Sequence, residues 1–205
     1  QHHYKDEHLS EHNLGYLYKT MLSAQSSAKY IFEKYDAAEN RAEYPQNNFA
    51  NQLKTMSRLI NSGMDAKVFY SSLGGFDTHA NQLNPQKRLL KIYGDSIGAF
   101  VNDLKKQGTF NDTLIVTFSE FGRRVKQNAA NGTDHGAASN VFIIGGQLKQ
   151  PGFYNDLASL EDLDSNGDLK YSVDFRSIYA TLLEKWLDVE HQTVLNNNFE
   201  LLKFI

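Results

Sequence analysis

TLIVTFSEFGRRVKQNAANGTDHGAASNVFIIGG, residues 113–146, decides the fold expected of this chain. Its two apolar runs, Leu114–Phe118 and Val141–Ile144, read as buried strands. Glu120 closes the first run, and Asp134 and His135 precede the second. The polar loop between them carries Gly122, Arg123, Arg124 and Gly132. Buried strands that deliver acids and a histidine at their ends are how an α/β sheet presents a site.

Outward from this stretch, Ala66–Leu73 reads as an earlier strand that runs into Gly74-Gly75-Phe76-Asp77-Thr78-His79. A long helix begins at Pro85, buries Leu89, Leu90, Tyr93, Ile97, Phe100, Val101 and Leu104 on one face, and ends at Gly108. Strand, helix, strand at this length predicts a parallel crossover unit, with Val141–Ile144 continuing the series. Before it, Asn47 or Asn48 caps a helix with the stripe Phe49, Leu53, Met56, Leu59 and Ile60, stopped at Gly63. Residues 1–45 read as a peripheral, mostly solvated helical segment. Its His8 and His12, four apart, could form a metal pair or be ordinary surface histidines.

Toward the other end, Asp162–Asp168 imitates the opening of a calcium loop. Val173 stands where the bidentate Glu belongs, so a surface turn is the competing reading. Asp174 caps a last helix in which Ile178, Tyr179, Leu182, Leu183, Trp186 and Leu187 face inward. The tail docks through Phe199, Leu201, Leu202 and Phe204.

The 205 residues suffice for one domain with a full core, and 40% of them are apolar. A net charge of −3 and a pI near 6.2 give no basic footprint for nucleic acid. No apolar run approaches the ~20 residues of a membrane span. The polar start QHHYKDEHLS has no signal-peptide pattern and reads as a cut inside a longer protein. With no cysteine, disulfides and thiolate metal sites are excluded.

Asp77 and His79, two apart in extended backbone, project from one face and could reach one ion. Asp134 and His135 could serve the same ion or a second one, and Glu120 completes three carboxylates and two imidazoles. Such oxygen and nitrogen donors suit zinc, manganese or another divalent ion. Each residue also has a plain structural role open to it. Asp77-x-His79 could be a turn, Glu120 a partner of Arg123 or Arg124, and Asp134 a turn cap. Arg123 and Arg124 could hold a phosphate or sulfate group, or be solvated charges. Ser119 has no general base beside it and is not proposed as a nucleophile.

GGFDTH (74–79), SEFGR (119–123), GTDHG (132–136) and VDFRS (173–177) resemble, in order, the motifs of the domain of unknown function 1501 family. The resemblance covers about residues 45–190. It implies bacterial proteins, commonly with a twin-arginine export signal and a periplasmic or secreted location, related to alkaline phosphatases and sulfatases. It implies an α/β fold with a mainly parallel sheet and helices on both faces, here cut at its N-terminal side. It also implies metal ligands at Asp77, His79, Glu120, Asp134 and His135. Glu120-Phe121 stands where the wider superfamily has Asp-His, and the nucleophile belongs to a first strand that this stretch does not hold. The expectation is a metal-dependent hydrolase-like domain acting on a phosphate or sulfate ester, free or on a decorated polymer, in the intact protein. The alternative is a non-catalytic exported protein that binds a partner or an envelope polymer.

Overall fold

The computed structural model describes residues 12–205. His2, His3 and His8 lie outside the described residues, and with them the pairing of His8 with His12. The helices are α1 (His12–Asp36), α2 (Asn48–Asn61), α3 (Leu83–Gln107), α4 (Phe175–Lys185) and α5 (His191–Leu195). The strands are β1 (Leu114–Thr117), β2 (Gly122–Arg123), β3 (His135–Gly136) and β4 (Phe142–Gly145).

The core is helical. Phe49 and Leu53 of α2 pack against Ile97, Phe100 and Leu104 of α3, and Ile115 and Ile144 close over them. Each such side chain contributes roughly 1.5–3 kcal/mol when fully buried. Local chemistry sets the helix ends as the sequence predicts. Asn47 Oδ1 accepts from Ala50 N–H at 2.8 Å to open α2. Gly108, at φ +85°, terminates α3 in the left-handed region that favours glycine. Also on α3 lies Asp103, fully buried. It accepts from Asn40 Nδ2, Arg41 N–H, Tyr44 Oη and Ser57 Oγ at 2.7–3.0 Å. A carboxylate there is tolerable only because these donors replace its water.

The expected parallel sheet is not formed. β1 pairs with β4 antiparallel, Leu114 opposite Gly145 and Thr117 opposite Phe142. β2 and β3 make a second, smaller antiparallel pair. The predicted strand Ala66–Leu73 is an extended segment with no ladder partner, and its Val68 and Tyr70 are exposed. The physical reason lies in the connections. Parallel neighbours need a crossover, usually a helix. Residues 118–141 instead fold back as a loop cinched by β2 and β3, which returns β4 alongside β1 in the opposite direction. The mainly parallel α/β architecture related to alkaline phosphatases is therefore replaced by a helical core carrying two small antiparallel sheets.

The periphery follows the sequence more closely. α1 is mostly solvated, with Leu17, Met21 and Phe32 exposed. Its far end is anchored where Lys34 Nζ donates to Ser62 O and Gly63 O. Asp174 caps α4 by accepting from Arg176 N–H at 2.8 Å. The tail docks through buried Phe204 and through Leu202 N–H, which donates to Thr181 Oγ1. No described helix is long and apolar enough to cross a membrane.

Candidate metal centre

Two loops meet to build the site. The first, residues 74–82, leaves the extended segment and enters α3; the second joins β1 to β4. Asn81 N–H donates to Ala130 O and Gln82 N–H to Asn131 O, at 2.9 and 3.0 Å. Arg123 draws the same loops together, donating from Nη2 to Phe76 O (2.5 Å) and from Nη1 to Thr133 O (2.6 Å). Closure needs a glycine. A Cβ on Gly132 would stand 2.3 Å from His79 O. Only a bare Cα admits so close a backbone approach.

This docking brings Asp77, His79 and His135 together. Asp77 Oδ1 lies 2.8 Å from His135 Nε2 and 3.0 Å from His79 Nε2. One ligand atom from each of the three lies within 4.8 Å of the others. The imidazole rings stand 4.9 Å apart at 37°. The His135 hydrogen bond holds the Asp77 carboxyl below its ordinary range, helped by the charge of both histidines. Asp134 Oδ1 faces the other side of His79, 3.4 Å from Nδ1. Asn128, with a smaller contribution from His79, holds Asp134 below its ordinary range as well.

The donor set fits a divalent ion. Two imidazole nitrogens and one carboxylate oxygen are a zinc or manganese ligand set. Ligand atoms of a tetrahedral zinc lie ~3.3 Å apart when the bonds are ~2.0–2.1 Å. The observed 2.8 and 3.0 Å separations differ from this by a few tenths of an ångström. All three side chains are exposed enough for an ion to enter.

The other expected residues sit around this trio. Glu120 is exposed and outside the converging group. Arg123 is half-buried and tied to loop carbonyls, with its guanidinium 5.0 Å from the Phe121 ring. Arg124 Nε lies 3.3 Å from Asp168 Oδ1, an ion-pair distance without hydrogen-bond alignment. That contact bears on the calcium-like stretch. Arg124 meets Asp168 and Lys170 meets Asp162, while Asp164 Oδ1 accepts from Asn166 N–H and Asp168 N–H. These carboxylates serve a surface turn.

Two residues of the site escaped the sequence reading. Phe121 stacks flat on His135, and Asn128 ties Asp134 Oδ1 to His79 O. An aromatic beside Glu120 reads as a lost imidazole, and an Asn in a polar loop reads as a turn residue. Neither has a spacing that reveals its partner.

Compared with known families, residues 4–199 match the family described as "Protein of unknown function (DUF1501)". No curated protein and no solved structure matches the chain.

Proposed function

The chain belongs to the DUF1501 family, and from that premise we propose that it is a divalent-metal-binding domain serving hydrolysis of a phosphate or sulfate ester. The observation that carries this reading is the convergence of Asp77, His79 and His135, contributed by two separate loops, on one point. Asp77 Oδ1 and the Nε2 atoms of His79 and His135 would hold the ion. A bound divalent ion supplies polarisation of the ester oxygen and activation of water near neutral pH. Arg123 and Arg124 add positive charge on the adjoining β2 strand and loop for the substrate's anionic group, alongside the ties they already make.

Zinc and manganese titration by calorimetry, followed by elemental analysis after gel filtration, tests the centre. One tightly held equivalent, lost in His135→Ala, is the expected result. A folded chain that binds neither ion overturns it. Chromogenic phosphate and sulfate esters then test the chemistry. Metal binding without turnover of any such ester would favour a binding role over hydrolysis.

A further inference from the structure

Helix α1 carries an apolar seam that the described residues leave exposed. Every residue from 19 to 33 is exposed, on all faces of the helix. An isolated stretch of about 12–15 residues is marginal as a helix in water even when rich in alanine, and this one holds Thr20, Ser23, Ser26 and Ser27. We propose that α1 pairs antiparallel with α1 of a second copy of the chain, so that the seam becomes the core of a two-fold symmetric dimer.

The spacing of the seam points to this partner. Leu14, Leu17, Met21, Ala24, Ala28 and Ile31 follow one another at intervals of 3, 4, 3, 4 and 3 residues. This is the a/d repeat, which keeps one narrow apolar line turned toward a second helix; a helix lying on a larger body shows a wider stripe. The flanking Tyr18, Thr20, Gln25 and Ser27 carry no charge, so nothing repels a like copy. Lys29 and Glu33, 3.8 Å apart, stand on the outer side. A lipid surface suits α1 less well. Opposite the seam Ser23, Ser26 and Glu33 stand beside Lys19, with no row of basic residues to meet anionic headgroups.

Direction follows from side-chain size. Antiparallel pairing sets Leu14 opposite Ile31, Leu17 opposite Ala28 and Met21 opposite Ala24 of the second copy, so a long side chain meets a short one in each inner layer. Parallel pairing would stack Ala24 on Ala24 and Ala28 on Ala28, and leave those layers underfilled. It would also carry the seam on to Tyr35, whose ring already has the Arg58 guanidinium 3.7 Å from its centroid. Lys34, bonded to Ser62 O and Gly63 O, and Tyr30 Oη, which accepts from Asp65 N–H, fasten this end of α1 to its own body. The antiparallel arrangement leaves those ties intact and puts the two bodies at opposite ends of a contact ~27 Å long. Leu14, Leu17, Met21 and Ile31 are 41–63% exposed, and Phe32 at the edge of the seam is 68% exposed. With the two alanines they offer on the order of 600 Å² per copy, or about 1,200 Å² across the pair, the lower end of specific interfaces.

Sedimentation equilibrium of the whole chain up to ~100 μM, where a pair of this size is populated, is expected to show a concentration-dependent dimer. Leu17→Glu should leave a monomer. Ser26→Glu places the same charge on the opposite side of α1 and should keep the dimer. At a dilution where the unmodified chain is monomeric, all three should melt alike, which shows that the α2–α3 core is unharmed. The chain has no cysteine, so direction is read by oxidising Leu17→Cys and Ala28→Cys chains, alone and mixed. A disulfide is expected only in the mixture, because identical positions lie ~16 Å apart along an antiparallel pair and cannot be bridged. A disulfide within Leu17→Cys alone would show parallel packing and overturn the proposal. So would a chain that stays monomeric throughout, whether or not it binds anionic phosphatidylglycerol vesicles.

Discussion

Phe121 lies face to face on His135, with ring centroids 3.9 Å apart and planes 7° from parallel. The stack covers one side of the imidazole and holds the ring so that Nε2 meets Asp77. Phe121, at the position where the resemblance implies that the wider superfamily has a histidine, contributes here by its stack on His135.

If the stack orients His135, Phe121→Ala should weaken zinc binding about 2- to 10-fold, the range of an aromatic pair worth ~0.5–1.5 kcal/mol. Phe121→Tyr should retain the affinity. Calorimetric zinc titration of both variants checks this, and equal affinities for all three proteins would remove Phe121 from the site.

His135→Ala should abolish tight zinc uptake and leave the fold intact. The side chain is exposed and contributes nothing to the α2–α3 core. Far-UV circular dichroism and the melting midpoint should match the unmodified chain within a few degrees. Metal content that survives the substitution would refute the ligand assignment.

Gly132→Ala tests the docking of the two loops. Its Cβ would meet His79 O at 2.3 Å, and backbone cannot yield as a flexible side chain does. We expect zinc affinity to fall at least ~10-fold, as for other losses of support around a metal ligand. The core should stay folded, because Gly132 is not among the residues packed between α2 and α3. Undiminished affinity would show that the loops close without this contact.

Asp103 governs acid stability in the core. Burial pushes its carboxyl up, but the hydrogen bonds from Asn40, Arg41, Ser57 and Tyr44 together outweigh that and leave it below the ordinary range. A carboxyl depressed in the folded state adds stability above its unfolded value of ~3.9, and that stability is lost as pH falls through the folded value. Melting midpoints measured from pH 7 downward should fall in this acid range. Asp103→Ala should cost about 3 kcal/mol at neutral pH by stranding its donors. Urea titration with a change below ~1 kcal/mol would contradict the buried network.

The helices were legible in the sequence because their signals are local. Asn47, Gly108 and Asp174 act within one turn of themselves, and the stripes of α2 and α3 follow the 3.6-residue period wherever those helices pack. The runs at Leu114 and Val141 were legible as strands for the same reason. Their direction was not. Parallel or antiparallel pairing depends on the path of residues 118–141, and apolar content in a run says nothing about that path. Ala66–Leu73 shows the same gap: extended backbone is a local preference, whereas a ladder needs a neighbour.

The site divides along the same line. Residue chemistry alone marked Asp77, His79, Glu120, Asp134 and His135 as candidate ligands. Only the meeting of two loops separated by about fifty residues placed Asp77, His79 and His135 on one point, Asp134 behind His79, and Glu120 outside the trio. Caps, stripes and donor types are properties of side chains and near neighbours, so the sequence carries them. Which donors share a point depends on Gly132 passing under His79 O and on Arg123 bridging Phe76 and Thr133. Those contacts exist only once the chain has folded back on itself.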